Sequence, residues 1–420
     1  MMVFTSIYGV VDGLFISNVA GKHPFAAINL IMPALMILGG FGFMIGAGGS
    51  ALVAKTQGEG DGDRANRYFT MMIKFTVISG IILSAIGIIF IKQIAILLGA
   101  GNDIIGDCIK YGIIILIFNT AFMLQSVFQV FLTTAQKPTL GLVVTVAAGI
   151  TNMILDAIFI AGFRMGVAGA ALATGISQSV GALIPLVYFI KSKNCPLRLV
   201  KTKLEARVLL HACTNGASEL MSNISGSIVS MVYNFCLLKY AGNDGIAAYG
   251  TLMYIQFIFV AIFIGYTIGT SPIISYHYGA QNHVELKNLL KKSMLIMSLT
   301  GFLMAVSAIL LSVPLAKIFV GYDEGLYNMT VHAFRILAFS FLLTGINIFI
   351  SSFFTALNNG VVSAVISFLR TLLFQSTSVI VLSAIFKLDG IWWAGTAAEC
   401  FALVISLIFL FLQKKKYHYM

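Results

Sequence analysis

FAAINLIMPALMILGGFGFMIGAGGSALVA, residues 25–54, runs for thirty positions without a charged side chain. As an α-helix rising 1.5 Å per residue it reaches about 45 Å, more than the ~30 Å hydrocarbon core of a bilayer. The rest of the chain repeats the theme. Twelve apolar runs of bilayer-crossing length follow one another from Met1–Val19 to Ile391–Leu412, among them Tyr68–Ile91, Leu209–Tyr240, Tyr327–Ala356 and Val361–Ile385. Hydrophobic residues make up 59% of the 420, charged residues only 10%, and mean hydropathy is +0.97. A soluble domain carries about 25% charged residues, so a water-exposed globular surface is excluded. Forty glycines suit helices that pack closely in lipid. The expected fold is an all-α polytopic membrane protein of about twelve transmembrane helices.

Charge in the loops gives orientation. With the first helix running outwards, 17 of the 26 Lys and Arg fall in inner loops, seven (Lys22 among them) in outer loops, and Arg335 and Arg370 within spans. The positive-inside rule then puts both termini in the cytoplasm, and the chain in the plasma (inner) membrane. The basic stretch Lys191–Arg207, which includes Lys193, reads as a topology determinant, with contact to anionic lipid as the lesser option. A net charge of +11 does not point to nucleic acid, because no aromatic residues interleave with the basic ones. Five scattered cysteines without a CxxC pair indicate neither a disulfide framework nor a zinc site. Asp12 interrupts the first apolar run, so no cleavable signal is expected there.

An internal repeat organises the chain. Adding 221 to a position in the first half carries Gly48 to Gly269, Ser50 to Ser271, Gly58 to Gly279, Phe128 to Phe349, Thr134-Ala135 to Thr355-Ala356 and Gly169 to Gly390. A gap-free register over roughly 140 residues implies two parallel, pseudo-symmetric six-helix lobes, a transporter architecture. The expected division is a first lobe at 1–190, a basic linker at 191–208, a second lobe at 209–413 and a basic cytoplasmic tail at 414–420. The matching start of helix 1 would fall about a dozen residues before Met1, so a shortened first helix is expected.

Charges within the apolar runs are where chemistry is sought, since each costs at least ~2.5–3.5 kcal/mol at mid-bilayer. Asp12, Asp156, Glu219, Glu399, Arg335 and Arg370 qualify. Asn152 and Asp156 are four apart and share one helix face. Under the repeat, Asp12 meets Tyr233, Asn152 meets Leu373 and Asp156 meets Thr377. The acidic pair is thus peculiar to the first lobe, which favours function over helix–helix adhesion. Carboxylates converging in a low-dielectric cavity can pass a proton between the two sides, or can ligate Na⁺ together with Asn152 and backbone carbonyls; sequence leaves both open. Glu219, Glu399 and Arg370 make a candidate second-lobe site, in which Arg370 is the expected structural partner of Glu399 and Glu219 stands evenly between structure and function; Arg335 is expected to snorkel. His277 and His283 read as a solvated cytoplasmic loop. There is no HExxH, phosphate-cradling loop or serine elbow, and no enzyme is expected; His211 is the nearest candidate for one.

YGVVDGLFIS (8–17) followed by AAINLIMP (26–33), GAGGSALVAKTQGEGD (46–61), TNMILDAIFI (151–160) and GVAGAALAT (166–174) resemble the multidrug and toxic compound extrusion (MATE) family. The likeness runs in order over essentially the whole chain. It implies an antiporter that expels cationic or amphiphilic compounds in exchange for H⁺ or Na⁺, with no other cofactor. It also implies an ion-coupling site at Asp12, Tyr111, Asn152, Asp156 and Thr174, in which Tyr111 and Thr174 complete a hydrogen-bond network. In another branch of the family the acid lies on helix 7, near Glu219. The upstream half of helix 1, with the family's usual proline, is missing here, which puts a bending of that helix in doubt. The alternatives are a flippase for lipid-linked precursors and, from a different class, a membrane enzyme or assembly factor. Small-molecule substrates and membrane lipids are the expected partners, nucleic acid is not, and a monomer is expected.

Overall fold

A computed structural model of the chain describes residues 1–16, 22–192 and 195–419. The expected end of the first span at Val19, Lys193 of the basic stretch, the side chain of Lys22 and the terminal Met420 lie outside the described residues. The described residues are almost entirely helical and contain no strand. In chain order the helices are α1 (Met2–Phe15), α2 (Lys22–Gly58), α3 (Gly62–Leu97), α4 (Ile105–Thr134), α5 (Pro138–Asp156) and α6 (Val167–Lys191). Then come α7 (Ala206–Asn215), α8 (Ala217–Gly279), α9 (His283–Val320), α10 (Glu324–Ala338), α11 (Phe341–Ala356), α12 (Gly360–Phe368) and α13 (Gln375–Tyr417).

Nine of these stretches are long and apolar enough to cross a bilayer alone, and α10 with α11 forms a tenth span bent by 49°. The 58-residue stretch Gly360–Tyr417 breaks at Lys387, where φ is 54° and ψ −126°, and so provides two crossings. With α1 as the first, the twelve expected helices are accounted for. Two expected runs are interrupted by turn residues. Leu209–Tyr240 is divided at Gly216 between α7 and α8, and Tyr327–Ala356 is divided at Phe339–Ser340 between α10 and α11.

The packing is that of helices in lipid. α9 buries Ser293, Gly301, Ala305, Ala308, Ser312 and Ala316, and turns Leu295, Leu299, Phe302 and Leu310 outwards. Small residues inward and large apolar ones outward invert the soluble pattern, because close backbone approach replaces the hydrophobic effect as the adhesive.

The chain forms two compact units, Met1–Leu220 and Met221–Met420. Local geometry supports their common descent. Asp61 and Asn282 each cap a helix by accepting from the backbone N–H three residues on, at 2.9 and 3.1 Å. Gly166 (φ 56°, ψ −130°) and Lys387 (φ 54°, ψ −126°) share one unusual conformation. Both pairs keep the offset of 221. The equivalent left-handed turn residues Gln136 and Asn358, however, stand 222 apart. The register is therefore not gap-free: one residue is gained before the α11–α12 turn, in the half whose span is broken, and given back before Lys387.

In the first unit, α2 packs against α3, α4 and α7. Its crossing with α7 is close: a Cβ on Gly48 would collide with the Ala212 carbonyl and the Gly216 amide, and one on Gly216 with the Met44 carbonyl. Backbone on both sides cannot yield, so Gly48→Val is expected to cost about 3 kcal/mol or more, read as a fall in thermal midpoint in detergent; Gly106→Ala, with open space around it, is expected to change little. The basic linker lies along α3 rather than free of it. Asn66 Oδ1 accepts from the Arg198 N–H (2.8 Å), Thr70 Oγ1 from the Val200 N–H (3.0 Å), and the Thr202 carbonyl from Lys74 Nζ (2.9 Å).

In the second unit the basic tail folds back on itself. His418 takes a left-handed conformation, Tyr417 and Tyr419 are buried, and the Tyr419 hydroxyl donates to the Leu410 carbonyl at 2.9 Å. His283 lies edge-on to His418 with ring centroids 5.2 Å apart. His277 and His283 are half-buried at helix ends, which corrects the expectation of a solvated loop.

Candidate ion-coupling site and a buried ion pair

α1 packs on α5, and Gly149 is where they meet: a Cβ there would press on the rings of Phe4 and Tyr8. Counting on from Gly149 by three and seven reaches Asn152 and Asp156 on the same helix face. Asp12 lies one turn beyond Tyr8 on α1, and its carboxyl faces that of Asp156. The Tyr111 hydroxyl, on α4, lies within electrostatic reach of both. Asp156 is 0% exposed, Tyr111 1% and Asn152 2%. Four of the five residues singled out in sequence thus converge. Thr174 is on α6, which packs against α4 and α5.

What distinguishes this cluster is its unmet hydrogen bonding. Both Asp156 carboxyl oxygens, Asp12 Oδ1, Asn152 Oδ1 and Thr174 Oγ1 are buried without a partner. Ionised carboxylates are acceptors only, so two facing each other bond only if a proton or a cation sits between them. A buried, unpaired carboxylate costs several kcal/mol. The chain bears that cost beside a π-helical turn, Ala157–Gly162, which starts at the residue after Asp156; such turns recur at functional sites.

The second unit has no acid at the equivalent positions, and its charges meet elsewhere. Arg370 donates to Glu399 through Nε (3.0 Å to both oxygens) and Nη2 (2.8 Å to Oε1). Asn347 Nδ2 completes the shell, donating to Glu399 Oε2 at 2.6 Å and to its carbonyl at 2.9 Å. The pair read from sequence is present, and Arg370 too occupies a π-helical turn, Leu369–Phe374. Asn347 was not legible in sequence; its only signal is an amide in the apolar run TGINIFISS (344–352). Asn347→Ala is expected to remove a charge-assisted bond and lower stability by about 1.5–3 kcal/mol, measured by thermal unfolding. Glu219, expected with the Arg370–Glu399 pair in the second lobe, falls in the first unit, half-buried in the first turn of α8. Arg335 is exposed on α10, as snorkelling requires.

A MatE family model matches residues 1–158 and 220–380. The chain belongs to the MATE family. Among curated relatives of this MATE protein is the multidrug export protein MepA of Staphylococcus saprophyticus, 26% identical over 413 residues, covering 98% of this chain and 90% of that protein. MepA of Staphylococcus aureus is 24% identical over 419 residues, with the same coverage. Among solved structures, a MATE protein in complex with MaL6 superposes with a TM-score of 0.94 at 20% identity, over 100% of this chain and 95% of that one. An outward-facing multidrug resistance MATE family transporter of the MOP superfamily gives the same values. The MATE fold is thus shared along the whole chain, across both repeats.

Proposed function

We propose that this MATE protein is a secondary antiporter that exports cationic or amphiphilic small molecules in exchange for H⁺ or Na⁺ by alternating access, as a monomer in the cell membrane with both termini in the cytoplasm. The observation that carries this reading is the Asp12–Asp156 pair, in which both Asp156 oxygens and Asp12 Oδ1 are buried without a donor, whereas the buried Glu399 is paired with Arg370. Such a pair binds a proton or a small cation on one side of the membrane and gives it up on the other. Hard oxygens from Asp12, Asp156 and Asn152 fit Na⁺, and the same oxygens fit one shared proton. A cationic substrate and the coupling ion oppose each other's binding through charge, and that coupling is reciprocal. The export activity named for the MepA relatives supports the direction of transport. An acidic rather than basic cluster weighs against a flippase for pyrophosphate-linked lipids.

Ethidium efflux from cells expressing the chain, with the proton and sodium gradients collapsed separately, tests this. Efflux is expected to stop with one of them. Efflux that survives the loss of both contradicts antiport.

A further inference from the structure

A cavity of about 210 Å³ lies wholly within the second unit, and Arg370, Tyr233, Tyr249, Gln375 and Trp392 are among its walls. Its polarity follows from how its hydrogen bonds are spent. Both Glu399 oxygens are saturated: Oε1 accepts from Arg370 Nε and Nη2, and Oε2 from Arg370 Nε and Asn347. The carboxylate is also the deeper member of the pair, with its side chain 5% exposed against 15% for Arg370. Arg370, which lines the cavity, does not use Nη1 in these bonds. The Tyr233 hydroxyl donates to Gln375 Oε1 at 3.2 Å, which leaves the Gln375 amide N–H groups as donors. The Trp392 indole N–H is buried without an acceptor. Arg370 is the cation among the lining residues, and its partner there, Glu399, has no oxygen left unbonded; the hydroxyls of Ser340, Thr344 and Thr371, also in the wall, donate to backbone carbonyls. Tyr233 and Tyr249 stack at 4.7 Å with planes 6° apart and form an aromatic wall. The volume exceeds the ~150 Å³ that holds a benzene ring.

We propose that this cavity is a binding site for the carboxylate end of small aromatic molecules, with the Arg370 guanidinium as docking group and the Tyr233–Tyr249 pair as the aromatic wall. Arg370 keeps its fork on Glu399 and turns its free nitrogen to the ligand, so binding breaks no existing ion pair. The Arg370 charge in the wall disfavours permanent cations. That the site serves transport rests on the antiporter reading, whereas binding itself does not.

Trp392 and Trp393 are the only tryptophans. Trp393 is exposed and stacks on Phe339 at the surface, so W393F leaves Trp392 as a reporter in the cavity wall. Quenching of the purified, full-length W393F protein is measured with 4-nitrobenzoate and with 4-nitrobenzylammonium, a matched anion and cation. Saturable quenching by the benzoate, at least tenfold tighter than by the ammonium, is expected, and it is expected unchanged in W393F/D156N. The double variant R370Q/E399Q in the W393F background, which leaves no unpaired charge, is expected to weaken the benzoate at least tenfold. Equal or tighter binding of the ammonium overturns the proposal on W393F alone, whether or not the double variant folds. Undiminished benzoate binding by a folded double variant overturns it too. Benzoate binding that holds while ethidium efflux proves independent of both gradients keeps the site and removes the antiporter reading; gradient-coupled efflux without benzoate binding does the opposite.

Discussion

Asp156→Asn is expected to reduce gradient-coupled efflux at least a hundredfold, to the level of cells lacking the protein, without loss of folded protein. Asparagine preserves the shape of the side chain but can neither share a proton as a carboxyl does nor supply charge to a cation. The site is fully buried and both oxygens lack donors. Removing its charge relieves a desolvation cost, so thermal stability in detergent should hold or rise, by about 1 kcal/mol. Asp12→Asn is expected to lose coupling in the same way, since each acid acts through the other. The opposite movements of activity and stability matter: a merely structural aspartate would lose both together. Efflux from cells and thermal unfolding in detergent, measured for the same variants, separate the cases.

Arg370→Met is expected to be the most destabilising single change in the second unit, by about 3–5 kcal/mol, because it strands Glu399 as a buried charge with only Asn347 beside it. The expected phenotype is little folded protein at growth temperature. The double change R370M/E399L removes both charges and fills the space with apolar atoms, and its stability is expected to match or exceed the parent's. Chromatographic monodispersity and thermal midpoints of the two variants decide this. If the double variant is as poor as the single one, Arg370 has a packing role beyond the pair.

Much of this was open to inspection in the residues. Asp12 and Asp156 stood out because ionisable groups are rare and costly in apolar runs, and the i, i+4 spacing of Asn152 and Asp156 fixed a common face. Arg370 and Glu399 were likewise the conspicuous charges of adjoining runs. The division at Gly216 had a signal in Asn215-Gly216, a turn-forming pair, inside an otherwise apolar segment. The bend at Phe339–Ser340 had none, since neither glycine nor proline marks it. Nor does sequence reveal a π-helical turn, which depends on how a helix accommodates one extra residue between its neighbours. The one-residue slip of the repeat was hidden for a related reason: in so apolar a chain, chance identities keep matching on either side of a slip. The Tyr233–Tyr249 stack brings together residues from both halves of α8 across the Gly242 break, and only the folded chain shows that. The buried Tyr419 contradicts the usual reading of a Lys-rich end as solvated, because the aromatic residues that follow the three lysines pack inward, Tyr419 beside Phe353.

The central claim is that substrate and coupling ion compete through Asp12 and Asp156, and its most direct test needs no membrane gradient. Purified protein is placed in weakly buffered detergent solution with a pH indicator, and separately loaded with ²²Na⁺, and ethidium is added to each. Release of protons or displacement of ²²Na⁺ on ethidium binding is expected from the parent chain and neither from the D12N/D156N protein. Ethidium binding that releases neither ion from the parent chain contradicts the claim.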